Sequence, residues 1–430
     1  MHTDEIWSHG WLADIAPHPL TPFSWSLLAS AYRRAFRRLW NDWGATTSPP
    51  EIIKRSEGRA ALNLGAIEQL LAARGITPPS FPWKPSAANN GGDRSLAQRW
   101  KAFRDRQRLN SLADRLFEQA SHELATVRRW WQGVLGMTWS QATLLQVMEE
   151  AEPMMDRVLY VMLAADCGLI AHPDGASSVA PCDEEEMLAG LVQASRTTDG
   201  LSEFLSAYGH RTVDEVEIAQ PRWREDPSFP QAAHKALSAS GCEVIDPASD
   251  GSPPLLSVRL QARTALGQAA DAVRQWALAA AAEGMSDGRL IQADDVFWLR
   301  LEEVKQVLTG EWNISRRDEI HDLVARRRAE MSAVNVSSPS RPPQARPEQL
   351  LDPLRSAGFG PTSGPCALEV PTADPTWVLL LPLASRVTIA GGPPHSTVAN
   401  VARRWGIPVH VASPAEASEP QEALGQGDER

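Results

Sequence analysis

The fold assignment depends on the stretch Tyr208-Gly-His-Arg-Thr-Val-Asp-Glu-Val-Glu-Ile-Ala-Gln-Pro-Arg-Trp-Arg-Glu-Asp-Pro227. It places His210 beside Arg211 and follows them with Glu215 and Glu217, two residues apart. An imidazole exchanges protons near neutral pH, and a guanidinium can hold a carboxylate or phosphate through two parallel hydrogen bonds. If the stretch lines a cavity, it could perform acid–base chemistry without a cofactor. His210, Arg211 and Glu215 are therefore our candidate catalytic residues.

The same stretch also permits a purely structural interpretation. Its arginines could pair with its acids in an internal network that holds the helices in place: Arg211 and Arg222 with Glu215, Glu217 or Glu225. The residue types alone do not distinguish the two interpretations. We therefore take Glu217 and Arg222 as candidates for substrate binding and keep the structural network as the alternative.

Outward from this stretch, the chain is mainly helical from about Thr21 to Ala333. Apolar residues recur at three- and four-residue steps, and strong helix formers dominate. The predicted helices are Ser26 to Trp40, Leu62 to Arg74, Ser95 to Met137, Ser140 to Cys167, Glu184 to Arg196, Pro254 to Glu283 and Arg316 to Ala333. The pattern predicts a helical domain over residues 1–336.

The composition changes after the last long helix. Residues 337–350 are rich in proline and serine, which predicts an extended linker. The elements predicted beyond it are two short buried strands, a helix and a strand: Trp377 to Pro382, Ser385 to Ala390, Thr397 to Trp405 and Pro408 to Ala412. We expect a small α/β domain over residues 351–412 and a disordered acidic tail over 413–430.

Composition limits the class of partner. The formal charge of -11 and the pI near 5.5 argue against nucleic acid, which requires a basic surface. The four cysteines form no CxxC pair, and His122-Glu123 lacks the second histidine of a HExxH site, so no metal is indicated. No apolar run approaches the roughly 20 residues of a membrane span, and the N-terminus does not resemble a signal peptide. We expect a cytoplasmic protein that contacts neither nucleic acid nor membrane.

Four segments, in the same order, resemble the family of phosphoenolpyruvate synthase and rifampin phosphotransferase. They are His18-Pro-Leu-Thr-Pro-Phe-Ser-Trp-Ser-Leu-Leu28, Gly58-Arg-Ala-Ala-Leu-Asn-Leu-Gly65, the stretch from Tyr208 to Pro227 and Asp294-Asp-Val-Phe-Trp-Leu-Arg-Leu-Glu-Glu303. The resemblance implies that residues 1–336 form a substrate-binding domain like the rifampin-binding domain, without the ATP-grasp domain that precedes it in relatives. The chain has 16 tryptophans, and some of them could line a pocket for a bulky ligand. Trp25 is our candidate.

The C-terminal region resembles a shortened form of the swivelling phosphohistidine domain of these enzymes. Its recognisable parts are Pro371-Thr-Ala-Asp-Pro-Thr-Trp377, Gly391-Gly392 and Val401-Ala-Arg-Arg-Trp-Gly-Ile-Pro408. In relatives, a histidine at the start of the following helix carries phosphate from ATP to the substrate. Counting back from Pro408 without a gap puts Ser396 at the Ser/Thr position and Thr397 at the histidine position, with His395 two residues earlier. Because threonine has no nitrogen nucleophile, we expect a degenerate phosphohistidine site.

These observations leave three functional hypotheses. The first is an ATP-independent enzyme of specialised metabolism that cyclises, dehydrates or isomerises a bulky, partly apolar substrate and uses no cofactor. The second is the substrate-binding chain of a split phosphotransferase, in which a separate ATP-grasp protein phosphorylates His395. The third is a ligand-binding protein without catalytic activity.

Overall fold

The computed structural model describes residues 6–56, 58–76, 96–171, 180–197, 199–240, 254–337 and 366–412. The predicted tail over 413–430, and the predicted linker from residue 338 onward, lie outside these ranges. So do residues 351–365, the first part of the predicted α/β domain. None of the helices in the described ranges combines the length and the apolar character that crossing a membrane requires.

The protein is mainly helical, as the periodicity predicts. The helices are α1 Pro22–Asp42, α2 Leu64–Ala73, α3 Leu96–Leu135, α4 Gln141–Ala171, α5 Asp183–Ala194, α6 Gly200–Tyr208, α7 Ser228–Ser240, α8 Pro254–Ser286, α9 Leu301–Thr309, α10 Arg317–Ser337 and α11 Thr397–Arg404. Short 3₁₀ helices occupy Gly10–Leu12, Ala293–Trp298, Ile314–Arg316 and Pro375–Leu383.

Local chemistry explains how the first helix begins. Thr21 is the N-cap of α1, its hydroxyl accepts a hydrogen bond from the Ser24 backbone N–H, and Pro22 occupies the first turn, where no N–H is needed. Along α1, buried apolar residues recur at three- and four-residue steps, and α1 packs against α4. Helix α4 also packs against α3 and α8. These four helices surround the first hydrophobic core.

Two small sheets complete the fold of the described residues. The first is antiparallel in the order β1–β3–β2, with β1 Trp7–Ser8, β2 Ile53–Ser56 and β3 Arg59–Asn63. The second is parallel in the order β4–β5–β6, with β4 Cys366–Val370, β5 Ala384–Ile389 and β6 Val409–Val411. Helix α11 connects β5 to β6, as expected where parallel strands need a crossover.

The second hydrophobic core contains side chains from both sequence regions. Apolar residues of α5, α6 and α7 cluster with those of β4, β5 and α11. Phe229 of α7, for example, meets the ring of Trp377 edge-on at 6.2 Å between centroids. This shared core places the C-terminal elements against the segment that follows α5.

The structure corrects two predictions. Trp377 to Pro382, predicted as a strand, lies in the 3₁₀ helix Pro375–Leu383, because Asp374 caps it by accepting hydrogen bonds from the N–H and hydroxyl of Thr376 at 2.9 and 2.6 Å. A short buried apolar run does not distinguish a strand from a helix by periodicity. The helix predicted from Leu62 begins at Leu64, because Asn63 ends strand β3 and caps the helix through its side chain.

Candidate functional site

Helix α8 carries a row of charged residues through the interior. Arg259, Arg263, Asp271 and Arg274 are buried, although the surrounding residues of α8 are largely alanine and leucine. Steps of three, four and eight residues place them on one side of the helix. Because a charge taken out of water must be paired or hydrogen-bonded, this side of α8 requires polar partners from other elements.

Arg211 and Glu215 meet this side of α8 and form its central ion-pair network. Arg211 Nη2 donates to Glu184 Oε1 at 2.7 Å, and Arg211 Nε lies 2.7 Å from Glu215 Oε1 as an ion pair without hydrogen-bond alignment. Arg263 Nη1 donates to Glu215 Oε2 at 2.6 Å. Burial raises the pKa of Glu215, but Arg211 and Arg263 outweigh it, so the pKa is lowered and the group is an anion. Both residues therefore already have charged partners.

Gly267 allows Glu215 to approach α8 this closely. A Cβ atom at position 267 would lie 2.6 Å from Glu215 Oε2 and 2.9 Å from its carboxyl carbon. These distances are shorter than real Cβ contacts. The absence of a side chain at this position is therefore what lets the carboxylate reach Arg263.

His210 is buried beside an indole ring. Its ring centroid lies 4.9 Å from that of Trp131 on α3, and its Nε2 has no hydrogen-bond partner among the described residues. Burial, followed by the positive charge of Arg211, lowers the pKa of His210 to about 3. The imidazole is therefore neutral at physiological pH, and it keeps one ring nitrogen available for a ligand.

Arg222 lies in the same region but does not join the network. Its side chain is 0% exposed, and the nearest carboxylate contact is Asp271 Oδ1, 3.8 Å from Nε. The alternative interpretation paired Arg222 with Glu215, Glu217 or Glu225. In the structure, Glu225 instead pairs with Arg274, whose Nη2 donates to Glu225 Oε2 at 2.7 Å.

Glu217 and Trp25 lie near the start of α1. Both carboxylate oxygens of Glu217 accept hydrogen bonds from Thr21: the N–H at 2.6 Å and the hydroxyl at 2.8 Å. The Ser24 hydroxyl also donates to Glu217 at 2.8 Å. Trp25 is half-buried, with the Arg55 guanidinium 6.0 Å from its ring centroid. Glu217 thus anchors the stretch from Tyr208 to Pro227 to α1.

His395 belongs to a second polar group. It is 1% exposed, its Nε2 lies 3.3 Å from Asp166 Oδ1 on α4, and its ring centroid lies 5.0 Å from that of Trp11. Arg259 donates to the same Asp166 oxygen at 2.7 Å. Burial, followed by the charge of Arg259, lowers the pKa of His395, while Asp166 partly opposes the shift.

Ser396 and Thr397 lie at the beginning of α11. Ser396 is the N-cap and Thr397 the first helical residue, and both are fully buried. Neither hydroxyl has a hydrogen-bond partner within the described part of the chain. One turn later, Asn400 accepts from Ala180 N–H at 2.8 Å and donates to Ala180 O at 2.7 Å, which ties α11 to the segment before α5.

The predicted residues therefore lie in three separate places in the structure. His210, Arg211, Glu215 and Arg222 lie together against α8, Glu217 and Trp25 lie near the start of α1, and His395, Ser396 and Thr397 lie in the C-terminal region. Asp14 links the first and third places, because its carboxylate accepts from Arg259 at 2.7 Å and its carbonyl from Arg263 at 2.9 Å.

Sequence reasoning missed several partners in these groups: Asp14, Trp131, Asp166, Glu184, Arg259, Arg263 and Asp271. A signal existed in α8, where charged residues recur at helical spacing within an otherwise apolar segment. Glu184 lies in the first turn of α5 and is buried as the partner of Arg211.

A comparison with known families identifies one part of the chain. Residues 168–241 match the family model of the rifampicin phosphotransferase fourth domain. The matched segment contains every candidate residue from His210 to Arg222, whereas their partners on α3 and α8 lie outside it. No curated protein matches the sequence. The match covers the stretch from Tyr208 to Pro227, and for that part of the chain it confirms the resemblance to rifampin phosphotransferase-like proteins.

Proposed function

We propose that this chain is an ATP-independent enzyme of specialised metabolism that performs acid–base chemistry on a bulky, partly apolar small molecule. The reaction would be a cyclisation, dehydration or isomerisation, and it would need no cofactor. The observation that carries the proposal is the state of His210: a buried, neutral imidazole with a free ring nitrogen beside Trp131.

A neutral imidazole in a dry site can accept a proton or, as the other tautomer, donate one to a carbonyl oxygen. Glu215 lies close enough to His210 to raise its pKa, so the carboxylate would stabilise the imidazolium that forms on protonation. Arg211, fixed by Glu184 and Glu215, would hold the segment in position. His210 would therefore act as the proton-transfer group, with Glu215 and Arg211 positioning it.

The residues at the start of α11 favour a reaction that does not use a phosphohistidine. Thr397 occupies the first turn of the helix, and a hydroxyl cannot form a phosphoramidate. His395 precedes the N-cap, and its side chain is buried against Asp166 and Trp11. In that position the imidazole is shielded from a phosphate donor.

The split phosphotransferase is the second candidate, and one observation favours it. The Asp166 carboxylate orients His395, which is an arrangement that histidine nucleophiles use. In that case a separate ATP-grasp protein would phosphorylate His395. The C-terminal elements would have to move away from α4 to expose His395 to that protein.

An activity comparison tests the proposal. Metabolite extract from the cells that make this protein is incubated with the parent chain, His210→Asn, His395→Gln and the exposed-site control His410→Asn, and substrate loss is followed by mass spectrometry without added ATP. We expect the same metabolite to be consumed by all except His210→Asn. Undiminished turnover by His210→Asn would exclude His210 as the proton-transfer group, and no turnover by any chain would favour the ligand-binding hypothesis.

Phosphorylation is measured separately. The parent chain is treated with phosphoramidate, a small phosphate donor for accessible histidines, and separately with ATP and cell lysate, and is then analysed by mass spectrometry under conditions that preserve phosphohistidine. We expect no phosphate on His395. A phosphorylated His395 that is lost in His395→Gln would support the split phosphotransferase instead.

A further inference from the structure

The side chain of Arg222 is a buried charge with a long ion pair, in which Nε lies 3.8 Å from Asp271 Oδ1. It is 0% exposed, and its Nε, Nη1 and Nη2 atoms all lack a hydrogen-bond partner among the described residues. A guanidinium has five N–H donors and loses strong hydration when it is buried. Stable proteins normally satisfy such donors, so this position requires either a ligand or ordered water.

The neighbouring acids are already engaged by other donors. Arg224 pairs with Asp271 Oδ1, and Trp131 Nε1 donates to Asp271 Oδ2 at 2.8 Å. Glu225 is held by Arg274 through both carboxylate oxygens.

The local charges therefore do not balance. Three guanidinium groups, those of Arg222, Arg224 and Arg274, face two carboxylates, those of Asp271 and Glu225. The guanidinium that is left without an acceptor is the most deeply buried of the three, and an anion would complete its coordination.

Backbone hydrogen bonds bring the segment of His210 next to the segment of Arg222. Trp223 N–H donates to Arg211 O at 2.9 Å and Arg224 N–H to Gly209 O at 3.0 Å, so the two segments run side by side. Trp131 contacts the His210 ring and donates to Asp271, the carboxylate that pairs with Arg222. The charge of Arg222 also contributes to lowering the pKa of His210. A ligand bound to Arg222 would therefore lie next to His210.

We infer that Arg222 is the binding site for an anionic group of the substrate, a carboxylate or a phosphate monoester. The inference rests on the proposed function, since it places this group beside His210. The planar guanidinium would hold the anion through two parallel hydrogen bonds. The Arg224 side chain pairs with Asp271 and is 32% exposed, so it is the member of this group that can move towards solvent when an anion binds.

Binding of two simple anions tests the inference. Benzoate and inorganic phosphate are titrated by calorimetry, at constant ionic strength against chloride, into the parent chain, Arg222→Met and Arg386→Gln, which removes an exposed arginine of β5. We expect saturable binding of at least one anion by the parent chain and Arg386→Gln. Arg222→Met should weaken it by roughly 10- to 100-fold. The anion that binds identifies the substrate as a carboxylate or a phosphate monoester.

The thermal stability of unliganded Arg222→Met distinguishes a binding role of Arg222 from a structural role. Asp271 keeps Arg224 and Trp131 as partners when Arg222 is replaced. An apolar side chain of similar length at this buried position is then neutral or stabilising, so Arg222→Met should melt at or above the Tm of the parent chain. A structural role predicts a lower Tm. If Arg222→Met does not fold, Arg222→Lys keeps the charge but loses the planar fork, and we expect about tenfold weaker binding.

Two outcomes would overturn the inference: no saturable binding of either anion, or equal binding by the parent chain and the Arg222 variants. The turnover of His210→Asn distinguishes failure of the anion-site inference from failure of the proposed function. If the anion binds through Arg222 but turnover does not depend on His210, the anion site stands and the acid–base role is wrong.

Discussion

Nε2 of His395 lies 3.3 Å from Oδ1 of Asp166, across 229 residues of sequence. The contact joins the segment before α11 to the centre of α4, and Arg259 of α8 holds the same carboxylate oxygen. Burial raises the pKa of Asp166, but Arg259 and His395 outweigh it, so the pKa is lowered and the carboxylate is charged. His395 is thus part of the protein core in this arrangement.

His395→Ala should therefore destabilise the protein. The change removes a hydrogen bond to a charged group and leaves a cavity beside Trp11, which together cost about 2 kcal/mol. Urea denaturation measures the difference. His410→Ala, at an exposed position of β6, is the control and should stay within about 0.5 kcal/mol of the parent chain. Equal stability of the two variants would show that His395 leaves this position in solution.

Gly267→Ala should destabilise the central ion-pair network. The new Cβ would collide with the Glu215 carboxylate, so the side chain must move away from Arg263. Overpacking of this kind costs about 1–3 kcal/mol. Gly133→Ala on α3 is the matched control, because a Cβ there meets nothing within 4 Å. The control should be stabilised by up to about 1 kcal/mol, since alanine favours a helix over glycine. A neutral Gly267→Ala would mean that Glu215 does not contact α8.

Asn400 variants test the attachment of α11. Asn400→Ala removes both hydrogen bonds to Ala180 and leaves buried backbone groups unsatisfied, which should cost about 2–4 kcal/mol by thermal or chemical denaturation. Asn400→Asp keeps an acceptor for Ala180 N–H but places a carboxylate oxygen against Ala180 O. We expect Asn400→Asp to be destabilised as well, and more strongly at pH 7 than at pH 4, where the carboxyl group can be protonated. A pH-independent loss would contradict this reasoning.

The stability of the protein should fall below pH 6.5 because of its buried histidines. The unfolded chain takes up a proton at His210 near pH 6.5, whereas the folded protein does so only near pH 3. Folding stability is therefore fully present above pH 6.5 and is lost as the pH falls towards 3, by roughly 1 kcal/mol per pH unit for this residue. The pKa of His395 is lowered too, so it adds a loss of the same sign.

Denaturation between pH 7.5 and 5 checks this dependence. His210→Asn should reduce the slope of stability against pH, and His410→Asn should leave it unchanged. If His210→Asn has the same slope as the parent chain, His210 is protonated in the folded protein, and the neutral-imidazole mechanism fails.

The sequence predicted helices α1 to α5, α8 and α10 and the C-terminal strand–helix–strand unit, but not the short helices α6, α7 and α9. Apolar residues at helical spacing place α1, α4 and α8 within a few residues of their observed ends, because burying one face of a helix demands that spacing. Trp377 to Pro382 could not be assigned in the same way, since a run buried on all sides has no periodicity to read. The capping of that run by Asp374 decided its conformation.

The sequence by itself determined the fold class, the resemblance of residues 168–241 to a rifampicin phosphotransferase domain and the types of side chain available for chemistry. Local spacing and the family motifs are properties of neighbouring residues, and the chain records them directly. Only the tertiary structure decided which charges are satisfied. It paired Glu215 with Arg211 and Arg263 and Glu217 with Thr21. Among the described residues, it left the Arg222 nitrogens and His210 Nε2 without hydrogen-bond partners. Pairs of this kind join residues that are far apart in sequence. They depend on burial and on distances of a few ångströms, which cannot be derived from composition or spacing.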